Sequence, residues 1–254
     1  NCFHRLERTS MKKLTIVAIL TTGLFSPAAW SGNFTVGVEA NDYLPIFNGQ
    51  DSEYSGYARD LLDSFASKYG HKFTYSPMPV ARLHHEFAVK KSLDLKFPDC
   101  PYWANDLKKN AKIVYSKSAV LVTDGVMVLP QNKGKGSITN LVTIRGFTPY
   151  PHLDQINSKN VTLREENVPT AAIHMVVAGH AEGAYLSTAV ADRLMAEVIK
   201  KPGILVFDDQ LPYTKNEYTL SSINHPELIK QFNEYLVKEK NSVAKLKAKY
   251  RIVE

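Results

Sequence analysis

Strand and helix patterns alternate along this chain, and the alternation runs through twice. Residues 34–38, Phe-Thr-Val-Gly-Val, read as an apolar strand. Tyr57, Leu61, Leu62, Phe65 and Tyr69 then recur at helical spacing, with Ser55 placed to cap that helix and Gly70 to stop it. Residues 72–75 alternate as a strand, 80–90 carry a second helical pattern, and 93–97 form a third strand closed by Pro98. Short apolar stretches follow at 113–115, 119–122 and 126–129, the last two linked by Thr123-Asp124-Gly125. The polar stretch 131–137 reads as a surface loop and lacks the Lys-Ser/Thr pair of a phosphate-binding loop. The alternation then restarts, with strands at 141–144, 161–163, 183–186 and 204–207 and helices at 169–177 and 189–200. Residues 218–220 lead into a long final helix that begins at Pro226 and presents Leu228, Ile229, Phe232 and Leu236 on one face, with Val243, Leu246 and Tyr250 in a last turn. Such an order calls for two α/β units in series, each a parallel sheet with right-handed crossovers.

The segment ahead of this pattern reads as a leader. Met11-Lys12-Lys13 is followed by an apolar run over 14–25, then Pro27 and the small residues Ala29 and Ser31. That is the layout of a secretory signal peptide over residues 11–31, with cleavage expected after Ser31 and residues 1–10 read as upstream sequence. The apolar run is shorter than the ~20 residues a membrane span requires. Without residues 1–31 the chain holds 27 Lys and Arg against 24 Asp and Glu, a net charge of +3 where the full sequence has +6. So modest a balance argues against nucleic acid as a partner. The lysines at 238, 240, 245, 247 and 249 read as a solvated helix face. Cys2 falls ahead of the cut, leaving Cys100 alone and without a disulfide partner, expected as a small buried thiol. His84 and His85 are adjacent and would point apart on a helix, and His180 and Glu182 have no third ligand at a suitable spacing, so no metal site is expected.

Several dispersed marks occur in a telling order. Tyr43-x-Pro45-x-Phe47 follows the first strand, and Gly56-Tyr57-x-x-Asp60-Leu61-Leu62 opens the first helix. Pro79-x-x-Arg82 precedes Leu93-Asp94, Tyr115-Ser116 comes next, and Arg145-Gly146-Phe147-x-x-Tyr150 begins the second unit. Ala178-Gly179-His180-Ala181-Glu182 and the segment from Pro226-Glu227-Leu228 to Lys249-Tyr250 complete the series. Over residues 33–254 this order resembles the family 3 extracellular solute-binding proteins, the periplasmic binding proteins of polar amino acid uptake. The resemblance implies an α/β fold of the type II periplasmic binding protein kind, two lobes joined by a two-strand hinge. Lobe one would be 33–121 with 221–254, and lobe two 122–220. It further implies a small-molecule solute bound between the lobes, an inner-membrane ABC permease or sensor as partner, a periplasmic location, a monomer and no cofactor.

Members of that family hold an α-amino acid with an Arg for the carboxylate and an Asp for the amine. The stretch 101–109 offers Lys108 or Lys109 nearest the place of the Arg, and Ser187 stands near the place of the Asp. Arg82, after Pro79 and near a strand end, is a substitute for the carboxylate contact, weighed against a surface helix arginine. Arg145 is the stronger anion candidate, and Gly146 beside it would let backbone approach a ligand. Tyr43 and Trp103 lie on loops and could stack on a ring or box a cation, as could Tyr102, whereas Phe47 reads as core. Asp99 ends the third strand as either a ligand acceptor or a cap, while Glu165 and Glu166 read as solvated. The expected ligand-binding set is therefore Tyr43, Arg82, Asp99, Trp103, Arg145, Gly146 and Ser187.

Capture of a small polar solute, amino-acid-like or an organic anion, is the function these features suggest. An enzyme on the same fold, dehydratase-like, would need an acid or base in the cleft, and Glu39, Asp99 and His152 are its only candidates. No nucleophile elbow or triad spacing is present, so catalysis is not expected. A degenerate relative that binds no ligand and contacts a receptor is the third possibility.

Overall fold

The structure, a computed structural model, describes residues 31–252; apart from Ser31, the expected leader and the residues before it lie outside the described residues. Strand β1 (Asn33–Glu39) is followed by the small antiparallel pair β2 (Asp42–Tyr43) and β3 (Phe47–Asn48). Helix α1 (Tyr57–Tyr69) buries Tyr57, Leu61, Leu62 and Phe65, the face its spacing predicts, and Gly70 ends it at φ 75°. Its cap is Gly56, not Ser55. At φ 101° Gly56 meets the Ile46 carbonyl so closely that a Cβ would sit 2.9 Å from that oxygen, and Ser55 pairs instead with the backbone of Asn48.

β4 (Lys72–Met78) and α2 (Val80–His85) come next, α2 running on as one wide π turn over Glu86–Lys90. β5 (Leu95–Asp99) contains Pro98 instead of ending before it. The partner strand slips register there, pairing Thr219 with Asp99 and Ser221 with Lys96, so the proline sits opposite a bulge where its missing N–H breaks no regular ladder. After α3 (Asn105–Lys108) and β6 (Val114–Tyr115), β7 (Val120–Val128) runs unbroken through Thr123-Asp124-Gly125. The expected break there does not occur, because β12 pairs with the first half of β7 and β10 with the second, and the two overlap at Asp124.

The second unit comprises β8 (Asn140–Ile144), α4 (Leu153–Asn157), β9 (Thr162–Glu166), α5 (Pro169–Val177), β10 (Gly183–Ser187), α6 (Thr188–Arg193) and β11 (Val206–Phe207). β12 (Thr214–Ser222) leads back to α7 (Pro226–Lys238) and α8 (Lys240–Lys249), so the final helical segment is two helices.

The strands join in one sheet of order β4-β1-β5-β12-β7-β10-β8-β9, with β6 added to β12 and β11 to β7. β4, β1 and β5 are parallel, as are β10, β8 and β9. Between these units β7 and β12 run antiparallel to each other, β12 joining the first unit through β5 and β7 joining the second through β10. β12 pairs with β7 over Thr214–Tyr218 and with β5 and β6 further on; β7 gives its first half to β12 and its second to β10. Phe65 of α1 packs edge-on against Phe232 of α7 below the first unit, while Ile173 and Val176 of α5 are fully buried on the second. One apolar core continues across both units. Among the described residues no helix is long and apolar enough to cross a membrane, and no cluster of His, Cys, Asp and Glu is arranged to hold a metal.

Candidate functional site

β1 and β7 bring two carboxylates to one cavity where the two parallel units meet. Glu39 ends β1, and Asp124 sits in the middle of β7 opposite Ser187 of β10. His84 of α2 and Tyr185 of β10 complete the polar lining, and Trp103, Phe147 and Tyr218 form aromatic walls. In this conformation the cavity is narrow, with a volume of about 20 Å³. Its position at the end of a parallel strand, beside the switch between two sheet units, is where α/β folds place ligands.

Contacts between the two units close the cavity. The Ser187 N–H donates to the Tyr43 hydroxyl (3.0 Å), and the Tyr43 ring stands edge-on to Phe147. Arg193 of α6 donates to the Leu44 carbonyl (2.9 Å) and pairs with Asp42. The Ala104 N–H donates to Thr148 Oγ1 (3.2 Å). Gly146, at φ 92°, lies so near α2 that a Cβ would fall 2.6 Å from the Ala81 nitrogen. Only glycine permits that approach.

Inside, four polar side chains are left with unmet hydrogen-bonding capacity: Glu39 Oε2, Asp124 Oδ1, His84 Nδ1 and the Tyr185 hydroxyl have no partner. Glu39 is 2 % exposed and Asp124 6 %. Burial pushes the Glu39 carboxyl up to about 7 although Lys96 pulls it down, and burial does the same to Asp124, to about 7, against one hydrogen bond donated by Asn216. Burial also holds His84 well below the usual imidazole range, with the Lys96 ammonium reinforcing the effect. An unpaired buried polar group is costly, and four such side chains lining one cavity mark it as a candidate binding surface.

Of the residues singled out in the sequence, Trp103 and Gly146 of the expected ligand-binding set line this cavity, as does Glu39, named as a candidate acid or base. Tyr43 and Ser187 meet at its edge as a contact between the units, and the Ser187 hydroxyl caps α6 by accepting from the Val190 N–H. Gly146 approaches the Ala81 backbone of α2. Arg82 and Arg145 are not among the lining residues: their side chains are 68 % and 60 % exposed, set beside Glu86 and Glu165. Asp99 is buried elsewhere, accepting from Lys96 (3.0 Å), Lys108 (2.6 Å) and Ser221 (2.6 Å). Burial works to raise its carboxyl, yet the two ammonium groups hold it well below the usual range. Lys108 is thereby committed to Asp99, and Lys109 is exposed. Phe47 is core, Tyr102 is exposed against Tyr150, and His152 is bonded to the Pro212 carbonyl outside the cavity. The residues that sequence reasoning passed over are Asp124, His84, Tyr185, Phe147 and Tyr218. Only Asp124 left a sequence signal, a lone acid within an apolar run of strand length.

No family model matches the sequence, and no curated protein matches it. Solved structures do. An arginine periplasmic binding protein from Legionella pneumophila superposes with a TM-score of 0.65 at 14% identity, covering 86% of this chain and 99% of that one. A histidine kinase sensor domain with similarity to periplasmic binding proteins gives a TM-score of 0.69 at 15% identity, over 86% and 95%. An ancestral amino acid-binding protein, a precursor of cyclohexadienyl dehydratase, gives 0.65 at 19% identity, also over 86% and 95%. The described chain has the fold of the type II periplasmic binding proteins: two parallel α/β units joined through two long antiparallel strands.

Proposed function

We propose that this protein captures a small polar solute in the cavity between its two α/β units and releases it unchanged to an ABC-type permease or to a membrane sensor. One observation carries the reading: four buried polar side chains from four different elements line a single cavity at the junction of the units, and each has an atom without a hydrogen-bond partner. In this reading residues 33–121 with 221–254 form one lobe and 122–220 the other. Strands β7 and β12 flex as the hinge, and the Tyr43–Ser187 and Arg193–Asp42 contacts latch the closed form. The leader over residues 11–31 would deliver the chain to the periplasm. A solute drives closure only by its preference for the closed form.

A thermal-shift screen of amino acids, amines and polyamines, organic acids and aromatic acids tests this. At a hundredfold over its dissociation constant a true solute stabilises by about 2.7 kcal/mol, about 5–10 °C for a domain of this size. A flat response to every class would overturn solute capture in favour of a ligand-free interaction protein. A second reading has an observation of its own: Glu39 and Asp124, both raised to about 7, are poised as acid or base near neutral pH. Recovery of the bound solute after prolonged incubation separates the two, since an enzyme would return it altered.

A further inference from the structure

The charges around the cavity point to the kind of solute it takes, given that it takes one at all. Among the lining residues the ionisable side chains include two carboxylates and an imidazole, and no Lys or Arg. The buried cations nearby are already engaged: Lys96 and Lys108 both donate to Asp99, and Lys96 also donates to the Pro98 carbonyl (2.7 Å). Arg82 and Arg145 point to solvent. His84 is neutral, so it brings no charge. A solute carboxylate would therefore enter beside Glu39 and Asp124 with no cationic partner in the lining, an arrangement that buries like charges together.

A cation meets the opposite conditions. Glu39 Oε2 and Asp124 Oδ1 each accept hydrogen bonds and have none. Phe147 and Tyr218 present aromatic surface of the kind that draws ammonium groups, while the Trp103 ring already carries the Lys96 ammonium 5.7 Å from its centre. The Tyr185 hydroxyl and His84 Nδ1 remain for a polar substituent. We infer that the cavity selects a small organic ammonium ion that carries no carboxylate, bound between Glu39 and Asp124 against the aromatic walls. This rests on the solute-capture reading and deepens it.

The inference has a pH signature. The groups around Glu39 are Lys96 and Asp99 of β5, Asn41, and Asp124 across the cavity, while Asp124 has Asn216 of β12 as its hydrogen-bond partner. Burial leaves both acids partly protonated near neutral pH when no cation is present. An ammonium ion favours their ionised forms, so its binding releases protons and weakens as the pH falls below about 7.

Calorimetric titration with three matched pairs tests the inference, the members of each pair differing by one carboxylate: ethanolamine and serine, tetramethylammonium and trimethylglycine, putrescine and ornithine. The expected result is that the amine of at least one pair binds about tenfold or more tightly than its carboxylated partner. Its affinity should fall at least about tenfold in Glu39→Gln and in Asp124→Asn, and also in the unaltered protein between about pH 8 and pH 5. The pH series stands even if a variant fails to fold. Equal or tighter binding of the carboxylated member overturns the inference and leaves solute capture intact, as does a hit from another class in the thermal screen with none of the six binding. A flat pH profile overturns the role of the two carboxylates. Silence in both the titrations and the screen overturns the inference and the solute-capture reading together.

Discussion

Two groups of buried charge lie within the first unit and its border, and they are built in opposite ways. Around Asp99 every charge has a partner. Its Oδ1 accepts from Lys96, Lys108 and the Cys100 N–H (2.9 Å), and its Oδ2 accepts from Ser221. Around the cavity Glu39 and Asp124 are as deeply buried, yet each keeps an oxygen with no donor. The same burial acts on all three carboxyls, but only Asp99 has ammonium groups within hydrogen-bond reach, and it alone stays below the ordinary carboxylate range. A satisfied buried acid serves the fold. An unsatisfied one costs the fold stability and is explained by what comes to meet it.

The largest break in this comparison is Asp99→Ala. It strands two buried ammonium groups and removes the acceptor for Ser221, which should destabilise the protein by about 3–5 kcal/mol in denaturant unfolding. No solute should restore the loss, because the network lies outside the cavity. The pH dependence has a definite sign. The Asp99 carboxyl is depressed, so its contribution is present above the ordinary carboxylate value and is lost as the pH falls through that range and below. A loss of less than about 1 kcal/mol would show that the cluster is not the tightly coupled unit its geometry describes.

The next largest effect runs the other way. Glu39 and Asp124 are raised, so the folded state holds their protons more tightly than the unfolded chain does. Their contribution is present at acid pH and is lost as the pH rises through about 7. The ligand-free protein should therefore lose stability between about pH 5 and pH 8. Glu39→Gln, which keeps the shape without the charge, should be more stable than the parent at about pH 8 by on the order of 2–3 kcal/mol, and nearly equal to it at about pH 5. Thermal unfolding at the two pH values measures this directly. A variant less stable at both would mean that Glu39 belongs with Asp99 as a structural acid.

The fold was legible in the sequence because its signals are local. The buried face of α1, the left-handed stop at Gly70, Pro226 opening α7 and the restart of the α/β order after β7 can all be read over short windows. The site was legible only in part. Trp103 and Gly146 belong to loops whose residue types carry meaning by themselves. Asp124 was hidden because Thr-Asp-Gly has the composition of a turn, and only the neighbours β10 and β12, distant in sequence, keep it extended. His84 was hidden because a histidine on an amphipathic helix has no signature, and its surroundings come from β1 and β7. Arg82 and Arg145 misled for the converse reason. The resemblance calls for a cation in the cleft, but nothing in a sequence tells which way a long flexible side chain turns.

Those two arginines give the smallest predicted effect and the sharpest control on the comparison. Neither belongs to a satisfied network like that of Asp99, nor faces the cavity like Glu39. Arg145 lies 3.9 Å from Glu165 and Arg82 3.7 Å from Glu86, both pairs with the arginine side chain mostly in solvent. Exposed pairs of this kind contribute little, so Arg145→Ala and Arg82→Ala should each change stability by less than about 0.5 kcal/mol. Each should also leave the affinity for any solute found by the thermal screen within about twofold, since neither side chain reaches the lining. A tenfold loss on Arg145→Ala would mean that the loop carrying it turns inward when solute binds. The cavity would then have a cationic partner after all, and a carboxylate would become an acceptable part of the solute.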